Sequence, residues 1–290
     1  MELKKKFSMT LAQPELLRDS IKVLSGLFNE ARLHIGKDGL KIIEMDSANV
    51  GMAVYHLLPS ACVEYETRPE PFSIGINLEN LLAILKNAKK SDILVLSLDV
   101  DKEVCLVNSE PLPDTPKDLI RKEPSNNLNI SLKGSITRNY TLPLIDIEER
   151  ENKIPNLEFK AKVKMPSDAF ADAVKEADTI AESVIFEAIE ANVEFSPEHN
   201  PKQQQTSFIM SAEGDLQKLN IPFREDENTK IEGEAKAKYS IEYLKKMSAA
   251  KCLSDDVILE FGTDYPLRLT YRQVDRLSLS WILAPRVEND

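Results

Sequence analysis

Glycine is scarce in this chain, with nine in 290 residues, and none of the nine sits in a phosphate-cradling loop. No nucleophile motif occurs either. Histidine is just as sparse: His34, His56 and His199 lie far apart, without metal-ligand spacing, so neither a metal nor another cofactor is expected. The three cysteines, Cys62, Cys105 and Cys252, are odd in number and distant, which predicts free thiols in a reducing compartment. No apolar run approaches the roughly 20 residues needed to span a bilayer, so no membrane association is expected. Met1–Phe7 carries three lysines with no apolar core behind them, unlike a signal peptide. Two acidic pairs are left as candidates for metal or acid-base chemistry. Asp255-Asp256 reads as turn chemistry and Glu148-Glu149 as exposed linker. No enzyme is expected.

What remains is a chain of globular composition, 42% hydrophobic and 29% charged, long enough for two cores. Its net charge of −11 argues against nucleic acid unless the basic residues gather on one surface.

The clearest pattern is a repeat. Asn77–Leu98 (NLENLLAILKNAKKSDILVLSL) and Ser240–Phe261 (SIEYLKKMSAAKCLSDDVILEF) align without gaps at an offset of 163, Leu81 on Leu244 and Leu96 on Leu259. Each predicts a helix of about three turns, a Ser-Asp turn and an apolar strand. A weaker pair, Pro14–Phe28 and Pro166–Ala181, aligns at an offset of 153, Leu17 on Phe170 and Ile21 on Val174. Each is followed by strand-like sequence, Gly39–Asp46 and Val184–Ala191. Duplicated units explain such spacing. Further strands are predicted at Lys4–Leu11, Val50–Leu57, Phe72–Ile76, Glu103–Val107, Leu128–Lys133, Ser135–Leu142, Phe159–Met165, Phe208–Ala212, Gln217–Phe223, Leu267–Tyr271 and Leu277–Leu283. Pro-rich Asn108–Asn127 and polar Ser196–Thr206 read as exposed hairpin insertions. Acidic Asp146–Asn156 reads as a connector. The fold class is α+β, in two similar domains: 1–145, a linker at 146–158, and 159–290.

Four segments, in order and spacing, resemble the archaeal and eukaryotic sliding clamps, the proliferating cell nuclear antigen family. They are GLKIIEMDSANVGMAVYHLL at Gly39–Leu58, TLPLIDIEE at Thr141–Glu149, the helix-SDD-strand unit ending at Phe261, and LAPRVE at Leu283–Glu288. The second and fourth have an archaeal form. The resemblance implies that three subunits of two clamp domains each close into a ring, helices inside and antiparallel sheets outside, around duplex DNA read without regard to sequence. It implies a processivity factor and docking platform for polymerase, clamp loader, flap nuclease and ligase. The location implied is cytoplasmic and nucleoid-associated in an archaeon, nuclear in a eukaryote.

The helix faces bear on this. Leu17, Ile21, Leu24 and Phe28 form one apolar stripe, with Arg18 and Lys22 elsewhere on that helix. Leu78, Leu81, Leu82 and Leu85 form another, followed by Lys86, Lys89 and Lys90. In the fourth segment Ile241, Leu244 and Met247 point inward and Lys245, Lys246 and Lys251 outward. These three helices carry eight basic and four acidic residues. The third departs: Lys175 stands against Asp168, Asp172, Glu176, Asp178 and Glu182. Ordinary amphipathic helices with dipole-favoured C-terminal lysines give the same pattern. The resemblance assigns the nine named cations, Lys175 included, to a DNA-facing surface of phosphate contacts.

The resemblance also implies a client pocket taking short peptides with aromatic anchors, at Met45, Asn49, Val50, Met52, Ile154, Pro155, Pro266, Ile282, Leu283, Ala284 and Pro285. Asn49 stands where animal members often have histidine. Methionines suit adaptable surfaces, although the same residues read equally as strand and core. A ring interface is implied between edge strands Ile136–Pro143 and Gln217–Phe223, through Ile136, Arg138, Tyr140, Leu142, Gln217, Leu219 and Ile221. A heterotrimer subunit and an acidic scaffold that never encircles DNA are the alternatives.

Overall fold

The structure, a computed structural model, describes residues 5–99, 102–105, 120–123, 125–148, 153–192 and 204–286. The four helices are α1 (Pro14–Leu24), α2 (Leu78–Leu85), α3 (Ser167–Ala177) and α4 (Ile241–Ser248). In the first half the strands are β1 (Lys5–Leu11), β2 (Glu30–Gly36), β3 (Gly39–Met45), β4 (Gly51–Leu57), β5 (Glu64–Thr67), β6 (Phe72–Asn77), β7 (Ile93–Asp99), β8 (Lys102–Cys105), β9 (Ile120–Glu123), β10 (Asn127–Lys133) and β11 (Thr137–Pro143). In the second half they are β12 (Ala161–Pro166), β13 (Ser183–Asn192), β14 (Gln204–Glu213), β15 (Lys218–Arg224), β16 (Lys230–Glu232), β17 (Ala235–Ser240), β18 (Asp256–Phe261), β19 (Leu267–Gln273) and β20 (Leu277–Leu283).

Both repeats are present in the fold. α1 and α3 each have 11 residues, α2 and α4 each have 8, and β7 and β18 follow α2 and α4 in turn. Pro14 opens α1 at a position where its missing N–H costs nothing. The Asn77 side chain caps α2 by accepting from the Asn80 N–H at 2.9 Å, which satisfies a donor the helix itself cannot. Two details differ from expectation. At 8 residues, α2 and α4 make about two turns instead of three. α1 stops at Leu24, ahead of Ser25-Gly26, where glycine disfavours continuing the helix. Phe28 therefore leaves the helical stripe and stacks on Trp281, with centroids 6.2 Å apart.

The chain divides into two units, one of Met1–Ser25, Asn29–Ile42 and Leu57–Glu149, the other of Gly26–Phe28, Ile43–His56 and Arg150–Asp290. The first unit holds α1, α2, a five-stranded sheet in the order β11-β10-β7-β1-β5, and β6 and β2 followed by the Gly39–Ile42 part of β3. Alternate residues Phe7, Met9 and Leu11, Leu94, Leu96 and Leu98, and Leu128, Ile130 and Leu132 are buried, the two-residue period of a strand with one covered face. The second unit holds α3, α4, the sheet β15-β14-β13-β17 and the run β16-β12-β18-β19-β20-β4. Its core centres on Phe186, with Phe170, Phe208, Tyr239 and Phe261 at centroid distances of 6.2 Å, 5.4 Å, 5.3 Å and 6.1 Å, within the range of favourable ring pairs.

Five strands lie where none was expected: β2, β5, β9, β16 and β17. β9 falls inside the loop expected at Asn108–Asn127 and pairs with β8, from Lys102↔Glu123 to Cys105↔Ile120. The loop expected at Ser196–Thr206 ends inside β14. Residues 108–119 and 124 of the first segment and 196–203 of the second, Glu149 of the acidic pair, and Val287 and Glu288 of LAPRVE lie outside the described residues. Cys62 and Cys252 are free thiols, and burial pushes the Cys62 thiol up to about 11, since an apolar setting disfavours the thiolate. Among the described residues no helix is long and apolar enough to cross a membrane, and no group of His, Cys, Asp and Glu has the arrangement of a metal site.

Candidate functional site

The helix surfaces of the two units differ. In the first, Lys22 ends α1, Lys86 follows α2, and Lys89 and Lys90 occupy the turn before β7. All four are exposed and make no ion pair with any described residue. Arg18 is half-buried and held by Asp19, with Nε to Oδ1 at 2.9 Å. In the second unit the acidic helix and the basic one join. Lys245 of α4 reaches Asp178 at 2.7 Å, and Lys251 reaches Asp168 at 2.8 Å and Asp172 at 4.0 Å. The Asp168 carboxylate raises the Lys251 pKa above its ordinary value, as an opposite charge at hydrogen-bond distance must. Lys246 pairs with Glu242 at 3.0 Å, one turn back on α4. Lys175 is exposed near the end of α3. The sequence pattern registered the excess acid on α3. It did not reveal that this acid is paired with the lysines of α4, which is a tertiary fact.

The expected client surface falls within the second unit. Its centre is a tight turn between β3 and β4. The Asp46 carboxylate accepts from the N–H groups of Val50 and Gly51, both at 2.7 Å, from Ala48 at 3.2 Å, and from the Tyr243 hydroxyl at 2.5 Å. Burial pushes the Asp46 carboxyl up, but these donors outweigh it and hold the group below its ordinary value, because each bond favours the charged form. The hydrogen bond to Asp46 in turn pushes Tyr243 up to about 12. Asn49 takes φ +57°, in the left-handed region that asparagine tolerates. Val50 accepts from the Ala284 N–H at 2.9 Å, which brings the start of β4 and the end of β20 together.

The expected lining residues separate by exposure. Met45, Val50, Pro266, Ala284 and Pro285 are half-buried, while Asn49, Ile154 and Pro155 are exposed. Met52, Ile282 and Leu283 are buried. They are 2%, 8% and 0% exposed: Leu283 continues the buried alternation of Leu277, Leu279 and Trp281, whereas Met52 and Ile282 are covered on the other face of β4 and β20. Tyr243 and Asp46 were missed. The available signal was a tyrosine on an otherwise charged helix face and an aspartate five residues before a glycine at a strand start.

Each expected interface strand ends its sheet, β11 in the first unit and β15 in the second. Tyr140, Leu219 and Ile221 are half-buried, and Ile136 and Gln217 stand exposed at the strand starts. Leu142 is buried in its own unit, 4% exposed. Arg138 is engaged within its own unit. It bonds the carboxylate of buried Asp92 and the carbonyl of Asn87, the latter at 2.8 Å, because a buried carboxylate demands a partner. Leu216, 97% exposed in the turn before β15, was not among the expected residues.

Two family models match the chain: proliferating cell nuclear antigen, N-terminal domain, at residues 6–118, and C-terminal domain, at residues 153–286. A DNA polymerase sliding clamp of Pyrococcus furiosus is 32% identical over 272 residues, 92% of this chain and 93% of that protein. This chain belongs to the proliferating cell nuclear antigen family. A DNA polymerase sliding clamp of Nanoarchaeum equitans is 29% identical over 282 residues, covering 96% of this chain and 98% of the relative. The crystal structure of the proliferating cellular nuclear antigen from Entamoeba histolytica shares the clamp fold, with a TM-score of 0.78 over 98% of this chain and 100% of that one, at 18% identity. The family is one of non-catalytic processivity factors, and DNA and polymerase are the partners that membership implies.

Proposed function

We propose that this chain is a DNA sliding clamp of two domains, 1–145 and 159–290 joined at 146–158, and that three copies close head to tail around duplex DNA. The observation that carries the ring is the pair of sheet ends. β11 and β15 each leave one side of a strand ladder open, and an open ladder is a template for another chain. Ile136 and Leu216, 72% and 97% exposed at the hairpin turns beside these strands, are apolar groups that such pairing would cover. With one edge in each unit, the contact is heterologous and closes as a ring instead of a two-fold dimer. Arg138 serves its own fold in this arrangement, and Tyr140, Leu219 and Ile221 supply the contact.

The exposed lysines of α1 and α2 suit phosphate contact without base readout. Polymerase, loader, nuclease and ligase would dock by short aromatic-anchored peptides over Met45, Asn49, Val50, Ile154, Pro155, Pro266, Ala284 and Pro285. The family's role needs no chemistry from this chain, so energy for opening the ring would come from a separate ATP-driven loader.

Light scattering on the purified chain tests the assembly. The expected mass is three times 32.7 kDa, falling to the monomer when Tyr140 and Ile221 are both replaced by glutamate. A wild-type chain that stays monomeric at high concentration would overturn the homotrimer and leave a heterotrimer subunit in its place.

A further inference from the structure

Tyr243 sits on α4, one turn from the lysines of the proposed DNA face, yet its hydroxyl bonds the turn that carries the proposed client surface. That turn, 46–51, is held to the end of β20 at Val50, which accepts from the Ala284 N–H at 2.9 Å, and its near end needs another anchor. Asn49 is in a left-handed conformation, and the backbone closes on itself only through Asp46 N–H to Gly51 O at 2.8 Å and Asn49 N–H to Asp46 O at 3.0 Å. The Asp46 carboxylate gathers three further N–H groups of the same turn. These bonds within the turn fix its shape and not its position. The Tyr243 hydroxyl adds the tie to α4, 2.5 Å from Asp46 Oδ2. Its ring lies against Gly51, where an added Cβ would stand 3.1 Å from ring atoms Cδ1 and Cε1 and 3.3 Å from Met247 Cε. Lys246 Nζ lies over the ring, 5.9 Å from its centroid.

We propose that Tyr243 is the positioning residue of the client surface: through Asp46 it pins the 46–51 turn to α4, so that Met45, Asn49 and Val50 are presented in the geometry that a docking peptide needs. A charge-assisted hydrogen bond is among the stronger single contacts available. A surface ordered before binding need not be ordered by the peptide. The proposal rests on the client-docking reading above, and it makes affinity for client peptides a property of a residue that no client touches.

The test is fluorescence anisotropy on the intact clamp, with a labelled synthetic peptide bearing a glutamine, an aliphatic anchor and two adjacent aromatics. Tyr243→Phe deletes one oxygen and keeps the ring. It should weaken the peptide three- to tenfold, chiefly through faster dissociation, with trimer mass unchanged. Asp46→Asn should cost a similar factor. The double variant should lose no more than the larger single loss, because both act through one hydrogen bond. Gly51→Ala, which pushes on the ring from the turn side, should weaken the peptide while leaving the hydroxyl in place. A residue of purely structural importance would lower the melting temperature and leave peptide affinity alone. Affinity within twofold of wild type for Tyr243→Phe, in an intact assembly well below its melting point, overturns the proposal. Failure of the wild-type clamp to bind the peptide at all would overturn the client reading itself, and this inference with it.

Discussion

The α1–α2 pair and the α3–α4 pair occupy equivalent places in duplicated units, yet they handle charge in opposite ways. Residues 14–28 and 77–90 hold five basic and three acidic side chains, and Lys22, Lys86, Lys89 and Lys90 stand without carboxylate partners among the described residues. Residues 166–182 and 240–251 hold four basic and six acidic side chains, and Lys245 and Lys251 are tied to α3 at 2.7 Å and 2.8 Å. Duplication fixed where the helices sit without fixing what they present. A lysine paired with a neighbouring carboxylate must give up that partner, or bring its negative charge along, to neutralise a phosphate, so it displaces fewer of the DNA's condensed counterions and contributes less to binding. The first unit is therefore expected to carry most of the attraction for DNA.

The largest expected effect comes from attacking the unpaired side. Replacing Lys22, Lys86, Lys89 and Lys90 by glutamate should reduce affinity for duplex DNA more than tenfold. Its salt dependence should flatten by about one unit of log-log slope for each lysine–phosphate interaction removed. Mass and melting temperature should hold. Salt titration of the variant against wild type checks this, and unchanged affinity would remove the first-unit lysines from the DNA face.

A smaller effect is expected from Lys245→Glu with Lys251→Glu. DNA affinity should fall by a few-fold at most. The new repulsion from Asp178, Asp168 and Asp172 should instead appear as a slightly lower melting temperature, because exposed ion pairs contribute little to stability. If this variant loses as much DNA affinity as the first, the two helix pairs are equivalent and the contrast is wrong.

Gain of function is the sharper version. Asp168→Asn with Asp178→Asn frees both lysines, and should raise DNA affinity a few-fold while steepening its salt dependence. The pH response is the smallest effect. Lys251 has its folded pKa raised by Asp168, so the stability it contributes is complete below the ordinary lysine value and lost as pH rises through the raised one. A thermal melt series above about pH 10 should show a decline in wild type that Asp168→Asn lacks.

The fold was legible wherever burial writes a period into the sequence. Leu81 and Leu244, or Leu96 and Leu259, are buried in both units, so the repeat could be read without a structure. β5 and β16 were illegible because they are 4 and 3 residues long, too short to show a two-residue period. β17 (AKAKYS) alternates, but with alanines too small to look apolar. The client surface was half legible. The half-burial of Met45, Val50 and Pro285 and the full burial of Met52 and Leu283 are not announced in the sequence. That distinction has consequences. Leu283→Ala should cost about 2–5 kcal/mol of stability, whereas exposed Ile154→Ala should spare the fold and cost about 1–3 kcal/mol of peptide binding. The cross-helix pairs and the Tyr243–Asp46 bond join residues distant in the chain, and nothing local encodes them.

Retention on DNA of different topology tests encirclement most directly. The chain is incubated with an ATP-driven clamp loader and nicked circular plasmid, washed in high salt, and the plasmid is then cut once. A ring held by topology should survive the wash on the circle and run off after the cut. Equal retention on circular and linear DNA, or loss from both in high salt, would mean that the chain binds DNA only through surface charge.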